Sequence, residues 1–203
     1  NVYETVQIGD QLWMAENLKV TKYRDGSEIP TGLDNDTWSS TNEGAYAVYD
    51  DDLSNADVYG NLYNCYTVDD NRGVCPEGFH VPSDDEYKQL EMELGMSEED
   101  ANSTSMRGTD EGSKLAGNSD LWLNGDLENN SEFGTSGFTG LPANYRDGDS
   151  GNYYSQSDMG VFWSSSVNSS NEAWYRVLDE SNSSVYREKL DKQFGFSIRC
   201  LKD

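Results

Sequence analysis

Alternation of apolar and polar residues predicts β-strands near both ends of the chain. Apolar residues recur on either side of Gly9-Asp10, so Val2–Leu18 is predicted to form a β-hairpin. The alternation resumes at Tyr46–Tyr49 and is broken by the acidic run that follows. Four further strands are predicted towards the C terminus, at Val161–Ser165, Ala173–Leu178, Ser184–Glu188 and Phe194–Leu201.

One helix has a well-defined start. Ser83 is followed three residues later by Glu86, which is the capping-box pattern, and acidic residues in a first turn suit the helix macrodipole. Apolar residues then recur at spacings of three and four up to Leu94, after which a glycine supplies a stop. We therefore predict a helix over Asp84–Leu94 and a second, weaker one that starts at Ser97.

The segments Arg24–Gly44 and Gly112–Gly160 are polar and show almost no periodicity. The second is dominated by Gly, Asn, Ser and Asp with isolated aromatic residues, and irregular chain of this length within a compact domain is usually functional. No internal repeat or linker divides the sequence. We predict a single α+β ligand-binding domain over residues 1–203, with one or two helices packed on antiparallel sheets and one face of long loops.

The composition poses a problem of charge. Asp and Glu total 38 against 14 Lys and Arg, which gives a formal net charge of -24. Only 36 of the 203 residues are Leu, Ile, Val or Phe, a composition typical of disordered chains. Five Trp, 13 Tyr and 6 Phe argue instead for a folded core. We infer a folded domain whose excess carboxylates are partly neutralised by divalent cations.

The same charge restricts the classes of partner. A strongly acidic surface disfavours nucleic acid and anionic membranes, and no apolar run is long enough to span a bilayer. The first residues alternate like a strand rather than a signal peptide, so we expect a domain excised from a longer protein. Three cysteines allow at most one internal disulfide, and with His80 as the single histidine and no Cys-x-x-Cys motif a zinc site is disfavoured.

Five blocks occur in order along the chain: Trp13–Leu18, Tyr59–Asn64, Cys75–Ser83, Gly160–Ser166 and Gly195–Cys200. Together they resemble the bacterial major paralogous domain family. The resemblance implies a C-type-lectin-like fold, related to the formylglycine-generating enzymes, with long calcium-binding loops. In that fold a disulfide ties the start of the first helix to the last strand, so the resemblance implies a bond between Cys75 and Cys200, a free Cys65, and a location outside the cytosol.

Within this family the domain also resembles the calcium-dependent peptide-binding module of large bacterial repeat adhesins of the RTX type. That resemblance implies an extracellular or cell-surface module of a larger secreted protein. Its cofactor would be several calcium ions, and its partner would be the free C-terminal carboxylate of a peptide or protein on another cell.

Three clusters of oxygen-bearing side chains are candidate calcium loops, because calcium binds six to eight carboxylate, carbonyl and water oxygens. Adjacent carboxylates repel each other unless a cation lies between them or they point apart, and a solvated acidic loop is the alternative for each cluster. The third cluster matches an EF-hand loop only loosely, since it lacks the central glycine and the closing glutamate. The first cluster contains Asp50, Asp51, Asp52, Asn55 and Asp57; the second contains Asn124, Asp126, Glu128 and Asn130; the third contains Asp147, Asp149, Asn152 and Asp158.

A calcium ion with an open coordination position would let this acidic surface accept a ligand carboxylate. By the adhesin resemblance, the third or the second cluster faces the ligand. Two arginines are candidates for gripping a carboxylate, with pairing to structural acids as the alternative for each. The expected ligand-binding residues are Tyr145, Arg146, Tyr153, Tyr154, Trp163 and Arg176.

Two other functions remain open. The second hypothesis is a calcium-dependent glycan-binding domain, although the Glu-Pro-Asn or Gln-Pro-Asp signature of sugar-binding calcium lectins is absent. The third is a structural module that uses calcium only for stability. An enzyme is the least supported class, because Ser164–Ser166 lacks a nearby base and the chain lacks the reactive cysteine pair of formylglycine-generating chemistry.

Overall fold

The computed structural model describes residues 1–154 and 157–203 as an α+β arrangement of three antiparallel sheets and short helices. The strands are β1 (Thr5–Ile8), β2 (Gln11–Met14), β3 (Tyr46–Ala47), β4 (Leu62–Asn64), β5 (Phe79–His80), β6 (Ser105–Arg107), β7 (Met159–Val167), β8 (Glu172–Asp179), β9 (Asn182–Asp191), β10 (Gly195–Phe196) and β11 (Leu201–Lys202). The helices are α1 (Asn35–Ser40), α2 (Ser54–Tyr59), α3 (Cys65–Val68), α4 (Asp84–Glu93), α5 (Glu98–Asn102), α6 (Glu111–Leu115) and α7 (Asp126–Asn129). No helix in these two ranges is long and apolar enough to cross a membrane.

The three sheets bring distant parts of the chain together. The first has the order β1-β2-β11-β5 and joins the two ends of the chain. The second has the order β10-β4-β3, and the third, with the order β6-β9-β8-β7, contains the three longest strands. The expected class of mixed α and β structure with antiparallel sheets is therefore confirmed.

The N-terminal hairpin forms as the sequence predicts. Thr5 pairs with Met14 and Ile8 with Gln11, so a two-residue turn at Gly9-Asp10 closes it. Gly9 adopts a φ of 55°, a backbone conformation that favours glycine, and a β-carbon at this position would lie 2.6 Å from the Glu93 side chain.

The predicted helix is α4. Ser83 accepts a hydrogen bond from the Glu86 amide while the Glu86 carboxylate accepts one from the Ser83 amide, which is the reciprocal capping box. The helix ends at Glu93, one residue before the predicted end. The weaker helix is α5, capped by Ser97.

Two predictions of local structure need correction. The polar segments contain helical turns, so the described residues hold more helices than the one or two predicted, although only α4 exceeds six residues. The predicted strand Phe194–Leu201 is split into β10 and β11, because its central residues bond to other segments: the Trp163 amide donates to the Ser197 carbonyl and the Leu18 amide to the Ile198 carbonyl.

A disulfide joins Cys75 to Cys200, the pair that the family resemblance implied. The two cysteines precede β5 and β11, which are neighbouring strands of the first sheet. Cys65 is a buried free thiol whose pKa is raised by burial, so it has the character of a structural cysteine rather than a nucleophile.

Candidate functional site

The two faces of the third sheet have opposite chemistry. Alternation along β8 sends Arg176 and Leu178 to one face and Tyr175, Val177 and Asp179 to the other. The first face, called here the inner face, packs against α4 through Phe162, Leu178 and Val185 from the strands and Tyr87 and Leu90 from the helix. The second is called the outer face.

The inner face holds a buried network of ion pairs. Arg176 and Arg187 are direct cross-strand partners, an arrangement that would be repulsive without an intervening anion. Asp84 of α4 accepts hydrogen bonds from both, at 2.8 Å from Arg176 Nη1 and 2.7 Å from Arg187 Nη2. Glu91, two turns further along α4, accepts at 2.7 Å from Arg176 and at 2.7 Å from Arg107 on β6.

The expectation that Arg176 binds a ligand carboxylate therefore needs correction. Arg176 is 2% exposed and its guanidinium already donates to two structural acids. Burial of the Asp84 carboxyl would by itself raise its pKa, but the hydrogen bonds and charges of Arg187 and Arg176 hold that pKa well below its usual range. Arg176 therefore pairs with structural acids, which was the alternative to ligand binding.

The outer face carries an open groove with a volume of about 520 Å³. Its floor follows one row of cross-strand partners, in which Met106 lies beside Tyr186, Tyr186 beside Val177, and Val177 beside Val161. The remaining lining residues come from strand ends and from two segments that pack over the sheet: Tyr145, Asp147, Met159, Tyr175, Asp179, Leu190, Phe194 and Phe196.

The aromatic rings of the groove support one another. Tyr145 stacks on Tyr154 with 5.1 Å between ring centroids and meets Phe194 and Phe196 at 6.1 Å each. Tyr175 lies 5.2 Å from Phe196. Such contacts fix the ring orientations and leave apolar faces at a partly open surface, the typical composition of a ligand-binding pocket.

Carboxylates supply the polar part of the groove. Asp147 lines the groove, as does Asp179, the last residue of β8, and both side chains are partly exposed. Burial raises the pKa of the Tyr145 phenol, with neighbouring Tyr154, Asp147 and Asp158 adding to the effect. Burial likewise raises the pKa of Tyr175, with Tyr186 and Glu188 contributing. Both phenols are therefore neutral hydrogen-bonding groups at physiological pH.

The third acidic cluster lies partly at this groove. Asp147 lines it, and Asp147 Oδ1 accepts hydrogen bonds from the Ser150 amide at 2.8 Å and the Ser150 hydroxyl at 2.7 Å. Asp149 is exposed, Asn152 accepts from Asn35, and Asp158 accepts from Asn144. Three of the four predicted ligands therefore have separate hydrogen-bond partners, and the fourth, Asp149, is exposed.

In the first cluster, each side chain that forms a hydrogen bond has a different partner. Asp51 accepts from the Tyr153 hydroxyl at 2.7 Å, Asp52 caps Ser54, and Asn55 donates to the Tyr49 carbonyl. Asp50 is exposed, and Asp57 lines a small polar cleft beside α2.

The second cluster forms a helical turn rather than an oxygen-rich loop. Asp126 and Glu128 belong to α7, Asn124 accepts from Asn129, and Asn130 donates to Ser183. The side chains of alternate residues therefore do not converge. In a helix, residues three or four positions apart share a face, whereas residues two positions apart do not.

Within residues 1–154 and 157–203, no group of three or more His, Cys, Asp or Glu side chains is placed to hold a metal ion. The acidic residues as placed do not fit a calcium site built mainly of carboxylates. A calcium ion at any of the three clusters would need main-chain carbonyls, asparagines and water for most of its shell.

The predicted ligand-binding residues divide into two groups. Tyr145 lines the groove and Tyr154 stacks on it. Trp163 is fully buried and donates to the Tyr63 carbonyl at 3.0 Å, so it belongs to the core. Tyr153 is half-buried against Tyr49.

Arg146 also lies away from the groove. It is 1% exposed, its Nε donates to the Gly151 carbonyl at 2.9 Å, and its guanidinium lies 4.4 Å above the Trp38 ring. These contacts hold the loop of the third cluster onto α1, so Arg146 positions the loop and does not present its charge to a ligand.

Sequence reasoning missed most of the groove. Tyr175 and Tyr186 lie on predicted strands, whereas Asp179 is the residue directly after the predicted strand Ala173–Leu178. Continuing the alternation of that strand by one residue places Tyr175 and Asp179 on the same face. The sequence did not show which face of the third sheet is covered by α4 and which remains accessible. That depends on how α4 and other segments distant in sequence pack against the sheet.

The comparisons define the family. The model of the Fibrobacter succinogenes major domain matches residues 6–202, so the chain belongs to this family. This confirms the bacterial major domain resemblance. Neither a curated protein nor a solved structure matches the chain.

Proposed function

We propose that this chain is a non-enzymatic binding module whose ligand is a peptide segment held in the outer-face groove. The observation that carries the proposal is the groove itself, a row of apolar and aromatic side chains across all four strands of the third sheet. A rigid sheet with preformed aromatic walls suits binding without chemistry, because it offers contact area at low conformational cost.

We further propose a C-type-lectin-like fold and an extracellular location within a larger protein. Support comes from the Cys75–Cys200 disulfide, which ties the segment before α4 to the last strand, and from the first sheet, which joins both ends of the chain. Disulfides persist in oxidising compartments.

Calcium-dependent capture of a free C-terminal carboxylate, as in RTX-type adhesins, remains the second proposal. The placement of Asp147 at the groove edge favours it, because a cation there would be close to a bound peptide. No Lys or Arg lines the groove in the described part of the chain, so the charged side chains that a peptide carboxylate would meet there without calcium are all acidic.

The test compares one set of short apolar peptides as free acids and as acetylated amides, with millimolar calcium or with EDTA. Groove binding predicts that both forms bind and that binding survives EDTA. Binding of the free acid alone, and only with calcium, would support carboxylate capture instead. Failure of every peptide together with binding on a glycan array would favour the glycan-binding alternative.

Two variants locate the site. Met106 is 40% exposed on the groove floor, so Met106→Ala tests the groove without risk to the fold, and Tyr186→Ser removes a central ring. Truncating an aromatic anchor typically costs about 2 kcal/mol, roughly 30-fold in Kd. Tyr66→Ser is the matched control, because Tyr66 is a half-buried tyrosine of α3 outside the groove. Equal losses in Tyr186→Ser and Tyr66→Ser would refute the assignment.

A further inference from the structure

The groove has acidic edges without compensating cations. Asp147 and Asp179 line it, and Glu188 is the cross-strand partner of Tyr175 on the same face. Among residues 1–154 and 157–203, none of these three acids forms a salt bridge, whereas Asp69, Asp70 and seven other acidic residues do. An uncompensated carboxylate beside apolar walls favours a ligand that brings its own positive charge.

The distribution of arginines explains this asymmetry. Alternation along β6, β8 and β9 sends Arg107, Arg176 and Arg187 to the inner face, where Asp84 and Glu91 neutralise them. Lys189 follows the same parity as Arg187 and lies 5.1 Å from the Trp174 ring. The sheet therefore places its cations on one face and leaves carboxylates and tyrosines on the other.

We propose that the groove is selective for a peptide segment in which an apolar residue is flanked by lysine or arginine, an inference that rests on the proposed function. The apolar side chain would lie on the Tyr186 and Val177 floor, and the flanking cations would reach Asp147 and Asp179. The half-buried tyrosine rings of the groove add to the attraction for a cation. The net charge of -24 repels anionic ligands and steers cationic ones towards the surface.

The length of the groove sets the length of the segment. The row from Met106 to Val161 crosses three inter-strand steps, which is roughly 14 Å at a spacing of about 4.8 Å. An extended peptide advances about 3.3 Å per residue, so about four residues span this row. Asp179 lies two residues from Val177 along β8, to the side of this row, so the long side chain of a flanking lysine or arginine would turn off the peptide axis to reach it.

The experiment uses acetylated, amidated pentapeptides of the form Gly-X-Phe-X-Gly, in which X is Lys, Ser or Glu. Binding is measured by calorimetry at low and at high salt. We expect the Lys peptide to bind about 5-fold more tightly than the Ser peptide for each engaged pair, and the Glu peptide to bind more weakly than both. The preference should shrink at high salt because the charges at the groove edge are partly exposed.

Charge removal at the groove edge supplies the matched comparison. The double variant Asp147→Asn and Asp179→Asn should weaken the Lys peptide to the Kd of the Ser peptide measured on the same variant, and so abolish the Lys preference. The control double variant Asp10→Asn and Glu77→Gln removes the same charge from exposed residues outside the groove and should keep the preference.

The outcomes separate the two proposals. If the Ser peptide binds and Met106→Ala weakens it, but the Lys peptide binds no more tightly, the charge selectivity is overturned and the groove function stands. If both double variants lose the Lys preference equally, overall charge causes it and the inference is overturned. If no peptide binds, both proposals fail.

Discussion

Replacing Asp84 with asparagine measures what the buried ion network contributes to stability. Asp84 is 5% exposed and accepts hydrogen bonds from Arg176 and Arg187, with Lys88 a further 3.2 Å from Oδ2. Asparagine keeps the size of the side chain but removes its charge. Arg176 retains Glu91 as a partner, whereas Arg187 is left without an anion in the described part of the chain.

The expected cost follows from that imbalance. Leaving one member of a buried ion pair uncompensated typically costs about 3–5 kcal/mol. In a domain of this size about 1 kcal/mol shifts Tm by roughly 2–4 °C, so we expect Asp84→Asn to melt at least roughly 6 °C below the parent chain. Urea titration at neutral pH provides the free energy of unfolding.

Asp85→Asn is the matched control. Asp85 is the next residue of the same helical turn, its side chain is 91% exposed, and it pairs only with Lys88 among the described residues. Its loss should cost about 1 kcal/mol or less, since only exposed charge and the helix macrodipole are affected. Equal destabilisation by the two variants would refute the claim that the buried network matters.

The pH dependence provides a second check on Asp84. Its pKa is lower in the folded chain than in the unfolded chain, so its contribution to stability is present above the ordinary carboxyl pKa of 3.8 and declines as the pH falls below it. The difference in unfolding free energy between the parent chain and Asp84→Asn should therefore shrink in acid.

Three further predictions concern other parts of the structure. Burial alone would lower the pKa of His80, but hydrogen bonds to Asp203 and Glu86 raise it above 6.5. The protonated His80 therefore stabilises the fold fully below pH 6.5, and this stabilisation falls as the pH rises through the folded pKa. Urea titrations of the parent chain and His80→Gln should show a difference in unfolding free energy that follows this pH dependence. Replacing Cys75 and Cys200 together by serine should lower the free energy of unfolding by about 4–5 kcal/mol. This is the loss of loop-closure entropy expected for a disulfide with a sequence separation of 125. A reduced parent chain that is as stable as the oxidised one would contradict this. If calcium relieves carboxylate repulsion, EDTA should lower Tm by roughly 5–10 °C. Calcium at a concentration of about 100 times its Kd contributes about 2.7 kcal/mol to the free energy of unfolding, and EDTA removes this contribution. An unchanged melting curve would reject the calcium hypothesis.

Local sequence signals predicted the elements that depend on neighbouring residues. The capping box at Ser83 and Glu86 fixes the start of α4, and the glycine turn fixes the hairpin register, because both use hydrogen bonds within a few residues. The acidic clusters were predicted less well. Residue spacing shows that oxygens are close in sequence, but helical turns and separate hydrogen-bond partners decide whether those oxygens meet.

The amino-acid sequence by itself determined the parity of the strands: Tyr175 and Asp179 share one face of β8 and Arg176 takes the other, because side chains alternate along any strand. Only the tertiary structure decided which face is buried. Asp84 and Glu91 reach the arginines because α4 packs on that side, while Tyr145 and Phe194 arrive over the opposite face from distant segments. Burial and charge compensation are relations between segments far apart in the chain, so a groove with apolar walls and acidic edges arises only when the sheet, the helix and the covering loops are assembled.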